Sequence, residues 1–131
     1  MIGIDTNLLL RPWLNDDPAQ DKRIDALLAA HGNMPGSLRV TDVVLAEAVG
    51  TLKSAFEQDK NAQTLAVRSL LDETAFAFED REAVAAALSL FEQGSGGFAD
   101  CLVVAQHGRQ GCEFTATFAR GMRKLPGVRV L

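Results

Sequence analysis

The sequence holds two cysteines and two histidines, and no apolar stretch approaches the length of a membrane span. Cys101 and Cys112 lack CxxC spacing, so they read as reduced core thiols of a cytosolic protein rather than as a disulfide or redox pair. His31 and His107 stand far apart with no partner spacing, which excludes a Cys/His zinc cluster. His31 reads as a helix C-terminal residue and His107 as a helix-surface one. The longest apolar runs, such as Ala83–Leu88, fall well short of the ~20 residues a bilayer requires. The opening Met1-Ile2-Gly3-Ile4-Asp5 lacks the basic region that precedes the apolar core of a signal peptide. Repeats, low-complexity tracts and linkers are also missing, and 131 residues suit one domain, expected to span 1–131.

What is present is a globular composition, 47% hydrophobic and 23% charged. The formal net charge of −4 argues at first against a nucleic-acid partner. The excess of acid is local, however. No Asp or Glu follows Glu113, and Arg120, Arg123, Lys124 and Arg129 make the last dozen residues basic. They form either a solvated surface or a patch that meets a phosphate backbone.

Strand and helix patterns alternate. A first strand runs from Met1 to Asp5, and a short helical stretch, Leu8–Trp13, is limited by Pro12. Asn15-Asp16-Asp17-Pro18 reads as a turn and N-cap for a helix Ala19–His31, with Ile24, Leu27 and Leu28 inward. After a loop at Gly32–Ser37, Leu38–Val40 is a short strand and Thr41 caps a helix Asp42–Gln58. Leu45, Ala48, Val49, Leu52 and Phe56 form its apolar stripe. Further helices are expected over Asn61–Glu73, Arg81–Phe91 and Phe98–Arg109, the last following a Gly94-Ser95-Gly96-Gly97 loop. Strands are expected at Ala75–Glu79, Glu113–Phe118 and, at an edge, Val128–Leu131. Strands separated by helices imply an α/β fold with a mainly parallel sheet and helices on both faces.

Three acids stand out against this frame. Asp5 closes the first strand, at the sheet edge where open α/β folds place their ligands; it is equally placed to cap the next helix. Glu47 has Val43, Val44, Gly50 and Thr51 as its helical neighbours, so no helical ion pair accounts for it. Its face of the helix is small and uncharged, which suggests cover on both sides. Asp100 sits among Gly96, Gly97, Val103 and Val104, in a first helical turn that favours negative charge. By contrast, Asp21, Asp25, Asp72, Asp80 and Glu82 lie among charged or polar residues and read as surface. Two carboxylates ~4 Å apart repel by about 4 kcal/mol at an effective dielectric of ~20. Convergence therefore needs a proton or a cation, and carboxylate oxygens without nitrogen or sulfur suit Mg²⁺ or Mn²⁺.

Ile4-Asp5-Thr6-Asn7, Val44-Leu45-Ala46-Glu47 and Phe98-Ala99-Asp100, in this order and spacing, resemble PIN-domain nucleases. The compact size resembles the VapC-type toxins of toxin–antitoxin pairs. The resemblance covers essentially the whole chain and implies a three-layer α/β/α sandwich and a Mg²⁺- or Mn²⁺-dependent endoribonuclease acting on structured RNA such as tRNA or rRNA. It implies that Asp5, Glu47 and Asp100 hold metal, directly or through water, and that Thr6 and Asn7 position the acids or their waters. It further implies a homodimer silenced by an antitoxin that inserts a segment into the acidic cleft, with an antitoxin Arg on the carboxylates as one form of the block. Arg11, Arg120 and Arg123 are the basic residues assigned to RNA.

One position departs from the family pattern. Relatives carry a fourth acid in a Thr-Phe-Asp-like run after the last core strand. Here Thr117-Phe118-Ala119 places alanine there, with Thr117 left to bind a water. The chain is then either a divergent member working with three acids or a disarmed one, and the family-like surroundings favour the second. The alternative function is a PIN-like domain that binds RNA or a partner without cutting. A haloacid-dehalogenase-type phosphatase would need a second Asp at Asn7. A receiver domain would need an acceptor Asp ending a middle strand, where Thr41–Glu73 reads as helical.

Overall fold

The computed structural model describes residues 1–14, 16–94 and 96–131. Asn15 and Ser95, each part of an expected turn or loop, lie outside the described residues. Three short strands form one parallel sheet in the order β1 (Ile2–Gly3), β2 (Leu38–Val40), β3 (Phe76–Phe78). Ile2 pairs with Leu38, and Leu38, Arg39 and Val40 pair with Phe76, Ala77 and Phe78. Strands β4 (Thr115–Thr117) and β5 (Val128–Val130) pair with each other, also in parallel. Parallel neighbours need crossovers; α-helices supply them between β1, β2 and β3, and a short 3-10 turn, Arg120–Met122, lies between β4 and β5. The architecture is the three-layer α/β/α arrangement expected from the sequence.

Helix α1 (Thr6–Leu9) and α2 (Arg11–Leu14) replace the single expected stretch Leu8–Trp13. Pro12 does not end a helix; it lies in the first turn of α2, where its missing N–H costs nothing. Asp17 caps α3 (Pro18–His31) by accepting from the amides of Ala19 and Gln20. The inward packing expected of α3 is only partial, with Ile24 and Leu27 half-buried. None of its residues is buried, and Leu28 is 38% exposed. The helix stands off the core, flanking an apolar groove of about 850 Å³ whose lining includes Leu8, Ile24, Leu28, Leu65 and Phe76.

Helix α4 (Asp42–Ser54) starts at its Thr41 cap, whose Oγ1 accepts from Val44 N at 3.3 Å. Leu45, Ala48, Val49 and Leu52 are buried as the 3.6-residue period requires. It stops short of Gln58 because Glu57 adopts φ 52°, a left-handed conformation that ends a helix. Asp59 then caps α5 (Lys60–Asp72), accepting from Ala62 N at 2.8 Å. Helices α6 (Arg81–Gln93) and α7 (Phe98–Arg109) make the most extensive helix pair. Phe91 and Phe98 meet edge to face at 5.9 Å and fix the turn between them. Helix α4 in turn packs against both α1 and α7.

The core is one cluster centred on Val40, Leu45, Val84 and Cys101, all without exposure. Cys101 is a core thiol as expected, whereas Cys112 is exposed. No described helix is long and apolar enough to cross a membrane.

Candidate functional site

Asp5 follows the end of β1 in an extended conformation, and its Oδ1 accepts from Thr6 N at 2.8 Å. The capping role is therefore real, and it occupies one carboxylate oxygen. Thr6 is buried, and its Oγ1 has no hydrogen-bond partner among the described residues. A buried hydroxyl left unpaired costs about 1–3 kcal/mol unless water or a ligand meets it. Asn7 is exposed on α1, with no side-chain hydrogen bond among the described residues.

Glu47 lies on the outer face of α4 and is exposed, as is its neighbour Val43 at 74%. Cover on both faces of this helix, expected from its small residues, is absent. Only the inner stripe meets the core. Glu47 nevertheless has no ion pair among the described residues, in keeping with its uncharged helical neighbours. Asp100 is half-buried in the first turn of α7, whose Gly97 cap offers no side-chain bond. Its charge there meets the positive end of the helix. Burial pushes the neighbouring Cys101 thiol up, and the Asp100 carboxylate adds to that effect.

Asp100 and Ala119 line the same concavity, of about 480 Å³, together with Arg120, Arg123 and Lys124. The backbone at 119 is held by a turn in which Thr117 Oγ1 accepts from Ala119 N at 3.0 Å. Thr117 therefore supports the turn, using an oxygen lone pair that the sequence reading left for a water. Gly96 also belongs to the concavity, and its φ of 105° is open to few residues but glycine.

Asp5 and Glu47 do not line this hollow. Among the described residues, no three His, Cys, Asp or Glu side chains stand close enough to hold a metal between them. The donor chemistry still fits a hard cation: Asp5 keeps a second oxygen, the Thr6 hydroxyl is unmet, and Asp100 opens into the concavity. Mg²⁺ is commonly held by one or two carboxylates, with waters and substrate phosphate completing its shell.

Arg11 requires correction. It is buried, and its guanidinium donates to Asp21 at 2.9 Å, to Asp16 and Gln20 at 3.0 Å each, and to the Asp17 carbonyl. It ties α2 to the start of α3 and is not available to RNA. Asp21 is accordingly an ion-pair partner rather than idle surface. Asp80, also read as surface, caps α6 through Ala83 N and pairs with Arg109. Arg109 is the main cause of the low pKa of Asp80.

A second acidic group escaped sequence reasoning. Asp42, Glu79 and Asp80 follow the carboxyl ends of β2 and β3, and Glu79 Oε1 accepts from Asp42 N at 3.1 Å. Burial, then Glu79 and Asp80, push the Asp42 carboxyl up to about 6, while a bond from the Gln106 amide opposes them. Asp42 and Glu79 lie 37 positions apart, and no local pattern links them. Lys60 was also missed. Its ammonium donates to the carbonyls of Phe91 and Gly94 and lies 4.6 Å from the Phe91 ring centre. It thereby holds the end of α6, just before the loop that leads to Asp100. His107 is half-buried, not on the surface, and its Nδ1 is 2.9 Å from Thr115 Oγ1, joining α7 to β4.

A family model of the PIN domain matches residues 2–128. The chain belongs to the PIN-domain family. No curated protein matches it. PIN domains are in general nucleases and typically use divalent metals.

Proposed function

We propose that this PIN domain is a Mg²⁺- or Mn²⁺-dependent endoribonuclease of the VapC toxin type, impaired by alanine at position 119. The observation that carries this is the shared concavity of Asp100 and Ala119, rimmed by Arg120, Arg123 and Lys124. An acid beside cations is what a site needs in order to hold both a metal and a phosphate.

In this reading Asp100, inside the hollow, together with Asp5 and Glu47, outside it, would hold the ion directly or through water. A bound Mg²⁺ or Mn²⁺ supplies charge neutralisation at the phosphate and makes a water more acidic. The Thr6 hydroxyl fixes a water in the site. Arg120, Arg123 and Lys124 bind the RNA phosphates and hold the scissile linkage in place. The protein works in the cytoplasm as a homodimer and is neutralised by a cognate antitoxin. The apolar groove beside α3 supports such a partner, since it leaves Leu28 and Leu65 without cover.

The missing acid at 119 favours a second reading, a domain that binds RNA or a partner without cutting. Metal-dependent cleavage of total RNA, compared between the native chain and Asp5→Ala and Asp100→Asn variants, separates the two. Weak cleavage that stops with chelation and falls at least tenfold in both variants is expected. Cleavage unchanged in the variants would point to another site or a contaminant.

A further inference from the structure

Phe118 is 81% exposed, although large aromatic side chains are normally drawn into the core. It stands directly after β4 and directly before Ala119, which lines the concavity with Asp100. The next residues supply Arg120, Arg123 and Lys124 to the same hollow, and all three are exposed. The other aromatic of this segment, Phe114, is half-buried and already covered by the Arg129 guanidinium, 3.8 Å from its ring centre. Phe118 is thus an uncovered ring beside a cationic hollow that also contains an acid. A polyanion carrying flat, apolar faces complements that combination, whereas a purely apolar protein surface would leave three cations unpaired.

We propose that Phe118 is a stacking platform for an unpaired RNA base next to the phosphate held by Arg120, Arg123 and Lys124. The substrate is then a single-stranded or looped segment, because bases inside an A-form helix are already stacked and cannot present a face to the ring. This deepens the nuclease reading, on which it rests for the identity of the polyanion. The turn at 117–119 makes the platform rigid, since the Thr117 hydroxyl accepts from Ala119 N and Leu131 N donates to the Thr117 carbonyl at 2.9 Å.

The test is equilibrium binding of a fluorescent single-stranded RNA to the full chain in chelator, so that cleavage plays no part. Phe118→Ala is expected to weaken binding about tenfold, within the range seen for loss of one base–aromatic stack. Phe118→Trp is expected to keep the affinity, and Phe118→Leu to lose it. The salt dependence separates stacking from charge. Phe118→Ala leaves the slope of log affinity against log salt unchanged, whereas Arg123→Gln lowers it by about one. Moving the same bases from a hairpin loop into its stem removes the difference between the native chain and Phe118→Ala.

Equal affinity of the native chain and Phe118→Ala overturns the proposal, as does a native chain that binds no single-stranded RNA. A Phe118→Ala variant that changes oligomeric state but not RNA affinity also overturns it and makes the ring a protein contact. Phe118-dependent binding without any metal-dependent cleavage leaves the platform standing and removes only the nuclease reading.

Discussion

At the residue scale, the bonding of Asp5 and Thr6 is incomplete in a telling way. One Asp5 oxygen caps α1, and among the described residues neither the other oxygen nor the buried Thr6 hydroxyl has a side-chain partner. The local sequence shows the cap, because Asp before a helical run is a familiar start signal. It does not show that the next hydroxyl is buried and unmet. Arg11 illustrates the opposite failure. An isolated basic residue reads as surface, yet Asp16, Asp17, Gln20 and Asp21 all follow within ten positions and enclose it. That acidic run was the available signal. Arg11→Met is expected to lower the melting temperature by a few degrees and to leave RNA affinity unchanged. A large loss of affinity with unchanged melting would restore Arg11 to the RNA surface.

Asp42 makes a prediction of its own. Its folded pKa, about 6, lies above that of a free carboxyl, so the folded chain binds more protons than the unfolded one between about pH 4 and 6. The stability this carboxyl contributes is fully present at about pH 4 and below, and is lost as pH rises through 6. Asp42→Asn removes the repulsion from Glu79 and keeps an acceptor for Gln106. Solvent screening holds the expected gain at pH 7 to about 1 kcal/mol. Urea denaturation should show that gain at pH 7 and little of it at pH 4. The same gain at both pH values would contradict the account of this cluster.

At the element scale, agreement between sequence and structure tracks how local the deciding interaction is. Helix α7 runs over Phe98–Arg109 as expected, because glycines stand on both sides of a clear apolar period. Helix α4 begins where Thr41 announces it but ends early, because Glu57 takes a left-handed conformation that its residue type does not signal. The apolar residues of α3 were visible, but their cover was not, since period alone does not say whether a second element lies opposite. The loop leading to Asp100 depends on Lys60, 34 positions from the Gly94 carbonyl it binds. Lys60→Met is expected to cost about 1–2 kcal/mol by leaving the end of α6 unsatisfied. It should also weaken metal-dependent cleavage without touching RNA phosphates, so affinity in chelator stays constant. Unchanged stability would remove Lys60 from the support of the site.

At the scale of the whole molecule, parallel strands put Asp5, Asp42, Glu79 and the 117–119 turn at strand carboxyl ends, while the C-terminal segment carries Arg120, Arg123, Lys124 and Arg129 with no acid among them. The net charge conceals this separation, and its signs in the sequence are Asp5 after a strand and the lack of any Asp or Glu beyond Glu113. The fold class was legible because alternating strand and helix patterns leave few topologies. The sequence singled out the candidate acids but not their arrangement, since Asp5 and Glu47 stay outside the hollow that Asp100 shares with Ala119. Position 119 is therefore where the account is most exposed. The rate of metal-dependent RNA cleavage by Ala119→Asp, measured beside the native chain at saturating Mn²⁺, tests it most directly. An increase of about tenfold or more, lost again on Asp100→Asn, is expected for an acid added to the hollow that Asp100 lines. Equal rates in the two chains would contradict it.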